Sequence, residues 1–446
     1  MSIDDVAVVR PGGPVDRSRM FVAGGALGVA ILLVVVQSVA SIQGFQGPLE
    51  SLFHDYVLTP KSASVPWAGL ALAMVGLTNR QRVVTLSAAA GIDVVVAAVR
   101  YLSGGPLTVG NGATWVLTAV GVYAAVRWTG DHRRSALKGV GLGALLILAT
   151  KFGDAWLQVT IMAGPMVLDE YAQLADHALG SPSWHLGQFV DALGPVGYGI
   201  LHWVYIELPV AAIAVAVYQL RNGWPSHYLV RTFLLIGLIG PVFYVLFPVV
   251  GPIFAFGTEG QGFQVSDYWP NIVPTPDFAP EPMSFDSVTP RNCMPSLHTA
   301  WALALFIHSR QGAWWLRLGG TFWLVCTLTA TLGFGYHYGV DLVAGAVLCL
   351  TIESALRDPE RGWGWFRVRL VGGGALVLAG LLLSYRYLAV PMGRFPEVSG
   401  PLVLGALAAM SLGFYATFFA RPDTALARWG SGAKAAVTDV LAAPTR

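Results

Sequence analysis

Two histidines and one aspartate stand where they could do phosphorus chemistry: "PSLH" (295 to 298) and "GYHYGVDLVAG" (335 to 345). His337 and Asp341 are four residues apart. At the start of a helix they share one face, so the carboxylate can accept from one ring nitrogen while the other stays free. That arrangement makes an imidazole a directed nucleophile. His298 follows Pro295 and Ser296 at the start of an apolar run, where the unpaired N–H groups of a helix's first turn and its dipole favour an anion. A phosphate held there would lie between two imidazoles. The same three side chains are also the ligand types of a facial-triad iron or zinc site, although no further ligands stand nearby in the sequence.

The elements that must position these residues are membrane helices. Of the 446 residues, 55% are apolar and only 12% charged, with a mean hydropathy of +0.60, which is far from the profile of a soluble domain. Apolar runs long enough to cross about 30 Å of hydrocarbon recur along the chain, with no alternating pattern of a membrane barrel. The expectation is an all-α polytopic protein of twelve spans, roughly 21–43, 64–79, 83–102, 112–127, 138–162, 193–220, 230–254, 297–309, 316–334, 338–356, 368–388 and 400–420. The first reads as an uncleaved anchor, because its apolar core is long for a signal peptide.

Basic residues test this threading, since Lys and Arg gather in short cytoplasmic loops. With the N-terminus inside, the inner segments take all of them but Lys61, Arg100, Lys151, Arg291, Arg386 and Arg394. Both termini are then cytoplasmic, and the two histidine motifs face the extracytoplasmic side. Cys326 and Cys349 fall within spans and only Cys293 in an outer loop, so no disulfide framework is expected. A net charge of +2 gives no ground for nucleic-acid binding.

Three regions follow from the loops: four spans in 1–135, six spans with long outer loops in 136–357, and two spans with a tail in 358–446. The outer loop 164–188 has apolar residues at helical spacing with Asp169, Glu170 and Asp176, which suggests an amphipathic helix lying at the interface. The loop 257–295, rich in proline and aspartate, suggests ordered irregular structure or a lid.

"PSLH" followed by H-x3-D, with "FYVLFPVVGP" (243 to 252) ahead of them, resembles the three signature segments of the type 2 phosphatidic acid phosphatase superfamily, whose six-helix core is related to vanadium haloperoxidases. The resemblance covers roughly 136–357. With Leu before the motif histidine it is most similar to the branch that includes inositol phosphorylceramide synthase-like proteins. It implies that His337 attacks phosphorus, that Asp341 orients it, and that His298 protonates the leaving group and then activates the acceptor, without metal or other cofactor.

The sequence departs from the family where cations are concerned. The first segment lacks the usual Lys and Arg, and Thr331 stands where an Arg would precede the nucleophilic histidine. Fewer cations suit a phosphodiester better than a phosphomonoester, which carries nearly two charges. The expected activity is therefore transfer of a phospho-headgroup, phosphoinositol among the possibilities, from a phospholipid donor to a lipid or glycan acceptor; hydrolysis of a lipid phosphomonoester or pyrophosphate is the alternative.

Substrate-binding candidates are Arg291, Ser296, Tyr244 and Lys151, with Arg100 in reserve. Each has a plainer reading: Arg291 as a loop charge, Tyr244 as packing, Lys151 paired with Asp154. Glu353 reads as the partner of Arg357, four residues on. Asp93, His202 and Glu207 fall at membrane depth and would serve a rival class, a proton-coupled transporter, for which the two halves show no internal repeat.

Overall fold

The computed structural model describes residues 17–257, 277–421 and 423–431. Arg10, Lys434 and Arg446, and 258–276 of the second long loop, lie outside the described residues. The first region contains α1 (Arg17–Gln43), α2 (Pro48–Val57), α3 (Ser64–Met74), α4 (Asn79–Leu102), α5 (Asn111–Arg127) and α6 (Gly130–Met162). Next come β1 (Met166–Val167), α7 (Asp169–Asp176), α8 (Pro182–Ala192), α9 (Gly194–Ile206), α10 (Leu208–Leu220), α11 (Leu229–Leu246), α12 (Pro252–Ala255) and β2 (Met283–Ser284). The motif helices α13 (Leu297–Ser309), α14 (Trp314–Gly333) and α15 (Gly339–Leu356) precede α16 (Trp365–Tyr387), α17 (Ala389–Arg394), α18 (Pro396–Phe418) and α19 (Ala425–Ser431).

Local chemistry sets many of these boundaries. Thr78 and Gln81 close a capping box at the start of α4, satisfying N–H groups that the helix leaves unpaired. Proline occupies the first turn of α2, α8, α9, α10, α12 and α18, where its missing N–H costs nothing.

The protein is an integral membrane protein. Among the described residues, six helices, α4, α6, α11, α15, α16 and α18, are long and apolar enough to cross a bilayer. The number rises to eight if α1 with α2, bent by 95°, and α9 with α10, bent by 55°, each count as one span. A helix lies over every apolar segment of the sequence, but α3 and α13 have only 11 and 13 residues, short of the ~20 that hydrocarbon thickness asks for. Both are instead packed within the bundle, α3 against α5, α6 and α10, and α13 against α10, α11, α14 and α15.

At the centre is α15. Of its apolar stretch 78% is buried, against 17% to 39% for the other five long helices, so it is apolar all round because protein surrounds it. Gly345 allows the close approach of α13: a Cβ there would lie 2.2 Å from the Ser296 carbonyl oxygen. At their far ends the same two helices meet on buried Glu353. It pairs with Arg357 (3.0 Å) as the sequence suggests, and takes His308 Nε2 at 2.7 Å, His227 Nε2 at 3.3 Å and the Thr232 hydroxyl.

The described parts of the loops before the motif helices are joined to one another. β1 and β2 pair antiparallel, Met166 with Ser284 and Val167 with Met283, joining the two long loops. The amphipathic stretch 164–188 does fold as helix, in α7 and α8, with two of its acidic residues turned into the protein. Asp169 and Asp176 are fully buried, and they accept from backbone N–H groups in the turn after α11 and at the start of α15.

Candidate active site

His337 sits in the turn between α14 and α15. Its Nδ1 faces Asp341 Oδ2 at 3.3 Å and Cys293 Sγ at 3.3 Å. The Cys293 thiol in turn donates to Asp341 Oδ2, and the Tyr338 N–H donates to the same oxygen at 2.9 Å. With Nδ1 engaged, Nε2 is the nitrogen left for chemistry. Burial holds the His337 imidazole down to about 3, so the ring is neutral at physiological pH, as a nucleophile must be. Asp341 lies in the first turn of α15, and its Oδ1 is buried without a partner.

His298 is the second residue of α13. The helix is capped by Ser296, whose Oγ accepts from Thr299 N at 3.3 Å. Ser296 N donates to the Asp341 carbonyl at 3.1 Å, fastening the start of α13 to the first turn of α15 and setting His298 beside the His337 loop. Tyr205 holds the ring in place: its phenol meets His298 Nδ1 at 3.1 Å, and the rings stack at 4.0 Å and 18°. Tyr205 also lies 5.4 Å from the ring of Tyr336, the neighbour of His337. The structure thus brings His298, His337 and Asp341 together through Tyr205, Ser296 and Cys293.

A clamp absent from the sequence reading fixes the His337 loop. Asp169 accepts from Tyr338 OH at 2.8 Å and from the N–H groups of Gly251 (2.9 Å) and Val250 (3.0 Å). Asp176 Oδ1 accepts from Val340 N at 3.1 Å, and Ser183 donates to the His337 carbonyl at 2.6 Å. Burial raises Asp169 to about 7 and Asp176 to about 8, against the pull of those donors. Gly251, at φ 101°, lets the turn after α11 touch the loop: a Cβ would sit 2.3 Å from the Tyr336 carbonyl oxygen. Nothing in one-dimensional spacing signals these contacts, since Asp169 and Tyr338 are 169 residues apart.

The other candidates are placed as follows. Arg291 is fully buried, and its guanidinium donates to the carbonyls of Thr289 and Asp286 within its own loop, the latter at 2.5 Å. Lys151 forms a buried ion pair with Asp55 at 2.6 Å, while Asp154 pairs with Lys61 at 3.2 Å. Arg100 donates to the Leu58 carbonyl and to Thr108 Oγ1 at 2.8 Å. Tyr244 is buried in the same apolar cluster as Cys293 and Tyr338.

Two groups among the described residues have the donor types of a metal site: Cys293 with His337 and Asp341, and His227 with His308 and Glu353. In the second, Gln219 Oε1 accepts from Leu229 N, which turns its Nε2 toward His308 Nδ1 at 2.9 Å. That donor places the ring hydrogen of His308 on Nε2, facing Glu353, where a metal would need a lone pair. With Arg357 balancing the carboxylate, the group fits a closed hydrogen-bonded ion-pair network.

Of the membrane-depth residues of the transporter reading, Asp93 and His202 are engaged by neighbours, whereas one oxygen of Glu207 is not. Asp93 accepts from Trp67 Nε1 (3.0 Å) and from the N–H groups of Gly110 (2.8 Å) and Gly112 (2.7 Å), which ties down the start of α5. His202 stacks on Tyr198 at 6.0 Å. Glu207 stands at the break between α9 and α10, with Oε2 buried and unpartnered.

Residues 173–354, from α7 through α15, match a family model described as the PAP2 superfamily, and this match supports a likeness of that segment to the type 2 phosphatidic acid phosphatase superfamily. Residues 17–159 match a domain of unknown function, DUF5933. No curated protein and no solved structure matches the chain. The PAP2 match points to phosphatase or phosphotransferase chemistry on lipid phosphates.

Proposed function

We propose that this protein is a lipid phosphotransferase that moves a phospho-headgroup, with phosphoinositol the first to test, from a phospholipid to a lipid or glycan acceptor. The observation that carries the reading is the grip on His337: Asp341 and Cys293 both meet Nδ1, which leaves Nε2 to attack phosphorus. In the first step Nε2 bonds to phosphorus as the donor's ester oxygen leaves, and His298, which enters the cycle as the imidazolium, gives that oxygen its proton and becomes neutral. In the second, His298 takes the proton of the acceptor hydroxyl as its oxygen displaces the phospho-group, restoring free His337. Burial of Cys293, His337 and Asp341 supports transfer over hydrolysis, because a site that excludes water spares the intermediate. Likeness to the inositol phosphorylceramide synthase-like branch rests on the Leu of "PSLH".

In this reading 136–357 is the catalytic core, and 1–135 and 358–446 flank it. If each apolar segment is one crossing, the short α3 and α13 included, the count is twelve, both termini are cytoplasmic and the histidines are outside, in line with the distribution of Lys and Arg. Ser296 and Arg291 shape the loop that meets the substrate, with Tyr244 behind it, and Lys151 anchors the flanking region.

Purified protein supplied with labelled phospholipid should form an acid-labile phosphoryl adduct that disappears in His337→Ala, whereas His298→Ala should slow its breakdown and, for a poor leaving group, its formation. An adduct surviving in His337→Ala would overturn the assignment. For sidedness, Val288→Cys and Trp363→Cys serve, since both positions are exposed (76% and 67%). An impermeant thiol reagent should label the first in intact cells and the second only after permeabilisation.

A further inference from the structure

Among the described residues, the site described so far offers phosphate no cation free of protein partners. Of the six basic residues assigned to the side of the histidine motifs, Lys61 and Lys151 are paired with carboxylates, and Arg100 and Arg291 donate to backbone carbonyls, although the Arg291 Nε is itself buried without a partner. Arg394 lies over the ring of Phe395 at 5.6 Å. Arg386, at the end of α16, is different. Its guanidinium lies 4.0 Å over the ring of Tyr171, its NH1 is buried with no hydrogen-bond partner, and it makes no ion pair among the described residues. It lines a cavity of about 280 Å³ together with Tyr171, Pro280, Tyr387, Ala389 and Val390.

This cavity adjoins the machinery that holds the catalytic loop. Tyr385, the residue before Arg386, donates to the Val340 carbonyl at 3.5 Å, next to Asp341. Tyr171 is on α7, which packs against α15, α16 and α17. On that short helix Asp169 grips the His337 loop while Tyr171, about 200° further round, faces the cavity. A volume of 280 Å³ is at the small end for ligand pockets, roughly 300–1,000 Å³, which suits a headgroup rather than acyl chains.

We propose that Arg386, Tyr171 and Tyr387 form a subsite for a phosphate-bearing anion, carried on a lipid headgroup, beside the catalytic loop. Arginine stacked on an aromatic ring is pre-set for two parallel hydrogen bonds to phosphate oxygens, and no carboxylate or carbonyl among the described residues competes for this one. Its role as a substrate subsite rests on the phosphotransferase reading, whereas its existence as an anion site does not.

Melting of the full-length protein in neutral detergent, followed by tryptophan fluorescence, tests it without turnover. Dioctanoyl phosphatidylinositol should raise the melting temperature saturably, and dioctanoylglycerol, which has no phosphate, should not. Arg386→Gln should weaken the apparent affinity about ten-fold or more, with Arg386→Lys between the two. Inorganic phosphate reproducing the shift assigns the site to phosphate itself, and a shift with the lipid alone assigns it to the headgroup. Should Arg386→Gln fail to fold, Val390→Trp, which fills the cavity, should give the same loss. No saturable shift in the wild type, an equal shift with dioctanoylglycerol, or unchanged affinity in a folded variant would each overturn the proposal. Failure of the phosphotransferase reading would show separately, as binding intact with no adduct on His337.

Discussion

The Cys293 thiol donates to Asp341 on the same carboxylate oxygen that faces His337 Nδ1 at 3.3 Å. A cysteine thus stands between the proposed nucleophile and the carboxylate that aims it. Burial pushes the thiol up, so it remains an S–H donor and is poorly reactive. Cys293→Ser should keep most turnover, since a hydroxyl can donate in its place. Cys293→Ala should lower turnover roughly 2- to 10-fold, the worth of one hydrogen bond to an orienting group. Steady-state rates of the two variants check this, and equal rates would remove Cys293 from the site.

Asp176 predicts a pH dependence of stability. Burial raises its folded pKa to about 8 from an ordinary 3.8, with nearby Asp341 adding to the rise. Its buried Oδ2, which has no partner, can carry the proton. A raised folded pKa means that the stabilisation is full below about pH 4 and is lost as pH climbs through about 8. Asp169, raised to about 7, acts in the same direction. Melting temperature should therefore fall between pH 6 and 9 in the wild type and fall less in Asp176→Asn, which keeps an acceptor for Val340 N but cannot ionise. Parallel curves for the two proteins would refute the assignment.

The pairing of His337 with Asp341 is legible in the sequence because it spans four residues, although His337 lies in the turn before α15 and not on its face, and His298 is legible as a histidine just inside a helix start. The Cys293, Tyr205 and Asp169 contacts are not, because they exist only once α7, α9, α13 and α15 have packed. Apolar segments mark helices well, as every such segment carries one. Span number is harder to read, since α3 and α13 are as apolar as true spans yet too short, and composition does not tell burial in protein from burial in lipid. The charges misled for a related reason. Lys151 has Asp154 close by in sequence, yet Asp55 is the partner that folding delivers.

Asp93 separates a structural carboxylate from a transport residue. Its two oxygens accept from Trp67 Nε1 and from two backbone N–H groups at the start of α5. Asp93→Asn replaces one acceptor with a donor facing a donor, which should cost about 1–3 kcal/mol. The expected result is a lower melting temperature, with phospho-adduct formation per folded molecule unchanged. Normal melting with loss of a proton-coupled flux would instead favour the transporter class.

Arg291 carries the sharpest disagreement between a charge read from sequence and a charge seen in place. As a phosphate ligand, its loss would remove a contact strengthened in the transition state, lowering turnover about 30- to 1000-fold without unfolding anything. In the structure its guanidinium instead bridges the carbonyls of Asp286 and Thr289, and its backbone N–H meets Thr160 Oγ1 at 3.1 Å. Those bonds hold the segment leading into Cys293 and Ser296. Arg291→Ala should accordingly lower melting temperature and turnover together, because the carbonyls of Asp286 and Thr289 lose their donors and Cys293 loses its register against Asp341. Arg291→Lys should restore neither, since one ammonium cannot reproduce the planar fork. Melting curves and single-turnover rates measured on the same samples decide the matter: unchanged melting with a large, Lys-rescued loss of rate would return Arg291 to the phosphate.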